Sequence, residues 1–353
     1  VNCSLLVVMF GAFVAQTTEY LPIGLLPQIG HSLGVSDGSV GVLVTGYAWL
    51  AALTAIPFTL ATNRLDRRTL FLGLLAVIAV ANLFATVSPS YAMLAGVRIV
   101  TALTHGVFWS ILAAFATRLV PEMPANRALA WAFGGISLAV VAGVPLATAI
   151  GQWAGWRAAF GFFAVLAAIM LLAGMLLLPS VPGQGHEADL GFPHGNVPLY
   201  GAALATALIV AAHFCSYTYV VPLLTAVAGV PDPRLSLLLF VFGLAGTAGT
   251  IIAGWAGQRP SATALVAAIG IVVSLALMML AGRRPSAAWL EMALWGGSIS
   301  ALTVGLQGWI LKFAPERADA ASALYVAAFN IGIGSGAMIG GLSLDRRAST
   351  QLN

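Results

Sequence analysis

The sequence predicts an all-helical protein that crosses a membrane many times and is built of two similar halves. Composition comes first: of 353 residues, 60% are hydrophobic and only 7% charged, where a soluble domain carries about 25% charge. The mean hydropathy of +0.98 agrees. Next is the recurrence of apolar stretches. A helix needs about 20 apolar residues to cross roughly 30 Å of hydrocarbon. Eleven such stretches can be marked, at about 4–33, 38–62, 69–88, 91–117, 128–152, 158–179, 197–226, 235–257, 261–282, 286–311 and 318–344, here numbered spans 1 to 11. The third observation is a repeat. Span 1 reads AQTTEYLPIGLLP and span 7 reads HFCSYTYVVPLLT, so that Pro22 aligns with Pro222 and Glu19 with Tyr219. Trp109 of span 4 corresponds to Trp309 of span 10, and each of those spans leaves through a Pro-Glu pair, Pro121-Glu122 and Pro315-Glu316.

Span 1 holds a single acid, Glu19, and no lysine or arginine. A carboxylate inside a membrane helix costs several kcal/mol unless it is paired, wet or protonated, so such groups mark ion, proton or substrate paths. Gln16, Glu19 and Tyr20 share a face, with Pro22 one turn beyond. The stretch is not expected to be a secretion signal: it shows no basic start and no A-x-A cleavage site, and its apolar run is too long. Span 2 contributes Tyr47, and the connection after it is basic, with Arg64, Arg67 and Arg68.

On span 4, Arg98, Thr101, His105 and Trp109 follow at steps of three, four and four, which puts them on one helix face. A permanent cation, an imidazole that titrates near physiological pH and an indole suit a cavity wall. Counted from Tyr91, Arg98 lies roughly 10 Å deep at about 1.5 Å per residue. Snorkelling to the interface is the structural alternative. For His105 the alternative is a neutral ring bonded to a backbone carbonyl, and for Glu19 it is a static ion pair with Arg98.

Span 5 offers Ser137, Thr148 and Gln152, and it has Gly143 and Pro145. A bend is expected there, because proline removes a backbone donor. The longest connection, 180–197, carries His186, Glu187, Asp189 and His194 and divides the chain into halves at 1–179 and 198–353. In the second half, His213, Ser216 and Tyr217 share a face of span 7. Span 10 carries Ser300, Thr303 and Gln307, and span 11 carries Asn330. Neutral donors and acceptors beside aromatic faces suit a polyhydroxylated ligand; the bland alternative is interhelical hydrogen bonding, worth about 0.6 kcal/mol per pair. Glu291, one turn into span 10, is expected to be solvated. Trp153, Trp156 and Trp289 are expected as interfacial anchors. Gly332, Gly334, Gly336, Gly340 and Gly341 form a small-residue face for close helix packing.

Basic residues in loops orient the chain. With the N-terminus inside, Arg64, Arg67, Arg68, Arg118 and Arg127 fall inside and only Arg157 outside in the first half. The second half is less decisive: Arg259, Lys312 and Arg317 inside, against Arg234, Arg283 and Arg284 outside. The linker is then cytoplasmic. A net charge of +4 serves this topology and not nucleic acid, because no basic cluster is interleaved with aromatics. Cys3 and Cys215 are expected as small core residues. There is no phosphate-loop, H-E-x-x-H or G-x-S-x-G motif, so neither ATP drive nor an enzyme is expected, and no metal or cofactor.

Parallel six-helix repeats are the construction of the major facilitator fold, with the substrate site between halves. The motifs TTEYLPIGLLPQI (17–29), TGYAWL (45–50), THGVFWSI (104–111), GVPLATAIGQWAGWR (143–157), AHFCSYTY (212–219) and FNIGIGSGAMIGG (329–341) carry a closer likeness. On these the chain resembles the sugar efflux transporters, in the drug–proton antiporter group of the major facilitator superfamily. It departs from that pattern twice. In FTLATNRLDRR (58–68) Thr62 replaces the usual acid and Leu65 the second glycine, and in span 5 Val144 separates Gly143 from Pro145. The resemblance implies a proton-coupled exporter in the bacterial inner membrane that works as a monomer and draws on the proton gradient. Glu19, Arg98 and His105 would couple protons. Gln16, Tyr20, Tyr47, Trp109, His213, Tyr217, Gln307 and Asn330 would bind the solute, and Arg64, Arg67, Arg68, Gly143 and Pro145 would serve gating. Sugars are the first expectation. Antibiotics such as chloramphenicol, or nucleosides, are the alternative cargo, and a non-transporting sensor remnant is the alternative class. Eleven spans are one short of the family's twelve, so a partial sequence is expected, with an eleven-helix protein as the other possibility.

Overall fold

A computed structural model describes all residues except 1, 2, 63, 124, 184–194, 256–258, 315–317, 352 and 353. The linker residues His186, Glu187, Asp189 and His194, the second Pro-Glu pair and Arg317 therefore lie outside the described residues. Among the described residues the chain is helical and has no strands. In order, the helices are α1 (Cys3–Leu33), α2 (Asp37–Thr62), α3 (Arg67–Thr86), α4 (Tyr91–Leu119), α5 (Ala125–Leu138), α6 (Val144–Ala154), α7 (Trp156–Leu177), α8 (Val197–Tyr217), α9 (Val220–Pro222), α10 (Leu235–Trp255), α11 (Pro260–Ala281), α12 (Ala288–Phe313) and α13 (Ala318–Gln351). Spans 1 to 4 are α1 to α4; span 5 is α5 with α6, span 6 is α7, span 7 is α8 with α9, and spans 8 to 11 are α10 to α13. Nine of these rods, among the described residues, are long and apolar enough to cross a membrane; α2 and α12 are not in that set.

Local chemistry explains where the rods start and stop. Asp66 caps α3 by accepting the Thr69 N–H at 2.9 Å, Ser90 caps α4 through Met93 N–H at 3.3 Å, and Asn196 caps α8 through Leu199 N–H at 3.1 Å. Gly155, at φ 85°, separates α6 from α7, a backbone angle that glycine adopts without strain. The expected break in span 5 is a π turn over Ala139–Gly143, immediately before Pro145. Span 7 breaks in the same way: α9 ends at Pro222 and a π turn follows over Leu223–Val227. In both places the proline withholds an N–H and the backbone shifts its hydrogen-bond register.

Two buried cores form, one mainly from α1 and α3 to α7 and the other mainly from α8 and α10 to α13. The outer faces stay apolar, with Leu176 76%, Val266 69% and Leu280 84% exposed. That is the surface a bilayer requires. The glycines of α13 do what the sequence predicts. Gly332, Gly336 and Gly340 meet α8 at Ala207, Ala211 and Cys215, while Gly334 and Gly341 meet α2 at Trp49 and Gly38. Three expectations change. Cys3 is exposed and so is not a core residue. Glu291 is 3% exposed and so is not solvated, because α11 packs over it and Ser274 bonds its carbonyl. Trp156 is buried against Phe160 and carries the Arg157 guanidinium 4.2 Å above its ring.

The halves meet along one end of the bundle. There Ser36 bonds the Asp345 carboxylate at 3.1 Å, and the Gln152 amide donates to the Asp232 carbonyl. Next to this end α10 touches α6 and the π turn of span 5, and α2 runs along α13. This end, with residues 34–37, is the closed end. The linker end, with Arg64 and Arg118, is opposite.

Candidate functional site

A cavity of about 480 Å³ lies between the halves. Its walls come from α1 (Gln16, Glu19, Tyr20), α4 (His105, Trp109), α5 (Phe133, Ser137), α8 (His213, Tyr217), α10 (Phe242, Thr247), α12 (Ser300, Thr303, Gln307) and α13 (Tyr325, Asn330). On α12 the lining runs from Ser300 at mid-helix to Gln307, and on α13 it lies at Tyr325 and Asn330, in each case toward the linker end, so the cavity extends from mid-bundle toward that end. A larger cavity of about 1020 Å³ sits at the closed end around Gln28, Trp153, Arg157 and Asp232; of the polar residues noted for a ligand it takes Gln152, and it has none of Glu19, Arg98 and His105.

The first half supplies the ionisable wall. Glu19 is 4% exposed; its Oε2 accepts from Gln16 Nε2 at 2.6 Å and lies 3.3 Å from His105 Nε2. Trp109 Nε1 donates to the same His105 nitrogen at 2.6 Å, and the Tyr47 hydroxyl lies 2.9 Å from His105 Nδ1. Tyr47 is absent from the cavity wall; it stands behind His105.

Arg98 does not reach the Glu19 carboxylate. Its guanidinium donates to the backbone carbonyls of Thr18 at 2.5 Å and Glu19 at 2.7 Å, and lies 4.2 Å above the Tyr47 ring. Pro22 explains this. In a helix the N–H four residues on would bond the Thr18 carbonyl, and proline has none. Arg98 supplies the missing donor. The static ion-pair alternative for Glu19 and Arg98 is therefore not what the structure contains, and snorkelling is excluded by 2% exposure.

The second half supplies an aromatic wall. His213 stacks on Tyr217 at 5.2 Å, and Tyr217 on Phe242 at 5.0 Å. Trp295 Nε1 donates to His213 Nδ1 at 3.1 Å. Nothing in the sequence singles out Trp295: it lies on the fully buried face of α12, and no local feature announces a partner on α8. The repeat register also misleads: Tyr219, aligned with Glu19, is not in the cavity. Its hydroxyl donates to the Ala337 carbonyl at 2.7 Å, and its ring fills the space left by Gly41, Gly340 and Gly341. Trp309, aligned with Trp109, packs on Phe313 away from the cavity. Asn330 and Gln307 reach the wall, the Asn330 amide also donating to the Val326 carbonyl at 3.0 Å.

The residues expected to serve gating lie elsewhere. Gly143 closes the π turn, where a side chain would collide with Thr17 of α1, and Pro145 follows it. In the 58–68 connection, Arg68 donates to the Met175 carbonyl at 2.6 Å and the Arg67 N–H to the Val181 carbonyl at 2.7 Å. Asp66 also accepts from the Ser180 hydroxyl at 2.7 Å. These bonds tie the connection to its own half. Arg64 is exposed.

Known proteins agree with this architecture. A bacterial homologue of the human lysosomal transporter Spinster, solved inward-facing and unoccupied, superposes with a TM-score of 0.77 at 16% identity, over 99% of this chain and 85% of that one. A mutant of the nucleoside transporter NupG superposes with a TM-score of 0.78 at 12% identity, over 97% and 90%. At such identities the likeness speaks for the fold alone. In sequence, the chain is 34% identical over 339 residues to a protein of Mannheimia succiniciproducens named "probable sugar efflux transporter", covering 95% of this chain and 85% of that one. This relative accords with the resemblance drawn from the motifs, and the family is one of membrane transporters and not of enzymes. The model of the Major Facilitator Superfamily matches residues 8–337, and with a two-halved helical fold around a central cavity the chain belongs to that superfamily.

Proposed function

We propose that this protein exports small polar solutes, sugars first, in exchange for protons, by alternating access across the bacterial inner membrane. One observation carries the reading: among the described residues Glu19 is the only acid on the cavity wall, and its carboxylate bonds an imidazole and an amide instead of a guanidinium. A carboxylate that is not clamped in a direct ion pair can exchange its proton, whereas one bonded to arginine resists doing so. The rest of the wall is hydroxyl, amide and aromatic, which suits a neutral polyhydroxylated ligand. The name of the relative from Mannheimia supports sugar as the cargo.

With Arg64, Arg67, Arg68 and Arg118 at the linker end, that end faces the cytoplasm and the N-terminus lies inside. The cavity then opens inward. The halves at 1–179 and 198–353 rock about it within one monomer. The proton gradient supplies the drive, and no cofactor takes part. Proton binding at Glu19 favours one access state and solute binding the other.

The test is solute accumulation in proteoliposomes under an imposed pH gradient. Glu19→Gln keeps the shape and hydrogen bonding of the side chain but cannot release a proton. It is expected to bind solute and lose gradient-driven accumulation. Accumulation equal to that of the parent protein sinks the role of Glu19. A second cargo is favoured by the His213–Tyr217–Phe242 stack: a flat aromatic solute such as a nucleoside or an amphiphilic antibiotic. Competition between sugars, nucleosides and chloramphenicol in the same vesicles separates the cargoes.

A further inference from the structure

Two cavity histidines each receive an indole N–H, but at opposite ring nitrogens. Trp109 donates to Nε2 of His105 at 2.6 Å; Trp295 donates to Nδ1 of His213 at 3.1 Å. An indole N–H only donates, so the nitrogen that accepts it carries no proton. In a neutral ring the proton is then on the other nitrogen. His105 carries it on Nδ1, toward the Tyr47 oxygen at 2.9 Å, and His213 carries it on Nε2. The tautomers follow from this hydrogen-bond network.

His105 Nε2 has a second neighbour, the Glu19 Oε2 at 3.3 Å. A ring nitrogen has one in-plane lone pair, and here the indole holds it. While Trp109 stays in place, His105 cannot accept a proton from Glu19 at that nitrogen. Trp109 itself lies on the cavity wall, where a bound solute would press on its ring. The other titratable or charged groups facing His105 are Tyr47 of α2 and Arg98 of α4. Arg98 is committed to the Thr18 and Glu19 carbonyls.

We propose that Trp109 is a positioning residue that gates proton transfer between Glu19 and His105. Its N–H holds His105 as the Nδ1–H tautomer, and a solute that displaces the indole frees Nε2. The step balances simply. The Oε2–H bond of Glu19 breaks, the Nε2 lone pair forms a new N–H bond, and a carboxylate and an imidazolium result as an ion pair. The gating role rests on the proton-exchange reading above; the tautomers do not.

The test is nitrogen NMR of the full chain in lipid nanodiscs at neutral pH, with the imidazoles labelled with nitrogen-15 and resonances assigned by replacing one histidine at a time. The expected result is a bare Nε2 and protonated Nδ1 for His105, and the reverse for His213. Trp109→Phe is expected to move the His105 proton to Nε2 and, in proteoliposomes with a pH-sensitive dye, to raise solute-free proton flux several-fold. A native His105 protonated on Nε2 overturns the proposal, and needs no variant to fold. So does a Trp109→Phe protein whose tautomer and proton flux match those of the parent. If the native protein moves no protons yet shows both tautomers as stated, the exchange reading falls and the indole lock stands.

Discussion

Arg98 and Pro22 act as one unit, although eighty residues separate Arg98 from the Thr18 carbonyl it satisfies. Proline leaves that carbonyl without its helical donor, and the guanidinium replaces it. Arg98→Ala therefore strands a buried acceptor and is expected to cost about 1–3 kcal/mol in a detergent unfolding titration. Pro22→Ala restores the N–H. In that background the same Arg98→Ala change should cost measurably less, and strict additivity of the two changes would break the link. At this scale the sequence was legible in kind and not in pairing. Glu19, Arg98 and His105 stand out because each is polar in an apolar stretch. That Arg98 would choose backbone carbonyls over the carboxylate depends on side-chain reach between α1 and α4, which no spacing along one helix encodes. Tyr47 belongs to the same lesson: its hydroxyl serves His105 from behind the wall.

Among the elements, α13 shows how glycine spacing becomes packing. Gly336 brings α13 onto the α8 backbone at Ala211 and Cys215. Gly336→Leu would force the two helices apart and is expected to destabilise by about 1–3 kcal/mol. Gly73 of α3 has open space around it, so Gly73→Ala should instead stabilise by up to about 1 kcal/mol. Paired thermal melts check both signs. The cap of α3 gives a pH prediction. Partial burial of Asp66 would raise its carboxyl, but donation from the Ser180 hydroxyl and from the Thr69 N–H and hydroxyl outweighs it and holds the group below the ordinary carboxylate range. A depressed carboxyl contributes stability that is present above the unfolded value of about 3.9 and is lost as pH falls through the folded one. Asp66→Asn should thus lower the melting temperature near neutrality and make little difference at pH below both values. Equal effects at both pH values would count against this. Glycine and proline positions were legible because they act on their own backbone. The π turns at Ala139–Gly143 and Leu223–Val227 were foreseen only as bends, since the register shift depends on what packs beside them.

The whole molecule is held shut at one end by contacts between the halves. Ser36 and Asp345 lie 3.1 Å apart, oxygen to oxygen. A Ser36→Cys, Asp345→Cys pair should therefore crosslink under mild oxidation, stop solute exchange across the membrane and leave binding from the linker end intact. Binding and exchange assays before and after reduction check this, and exchange that survives full crosslinking would refute closure at this end. What the sequence by itself determined is the solvent, the helical rods, the pairing of two halves and the residue types that line a path. Those follow from hydrophobicity, backbone donors and spacing within a helix, and are local physics. Only the tertiary structure decided which polar groups meet. It put His213 and Trp295 together, took Tyr219 away from the cavity and Trp309 off its wall, and opened the site toward the linker end. Each of these depends on the crossing of helices distant in sequence, where a displacement of one helical step exchanges a cavity residue for a core one.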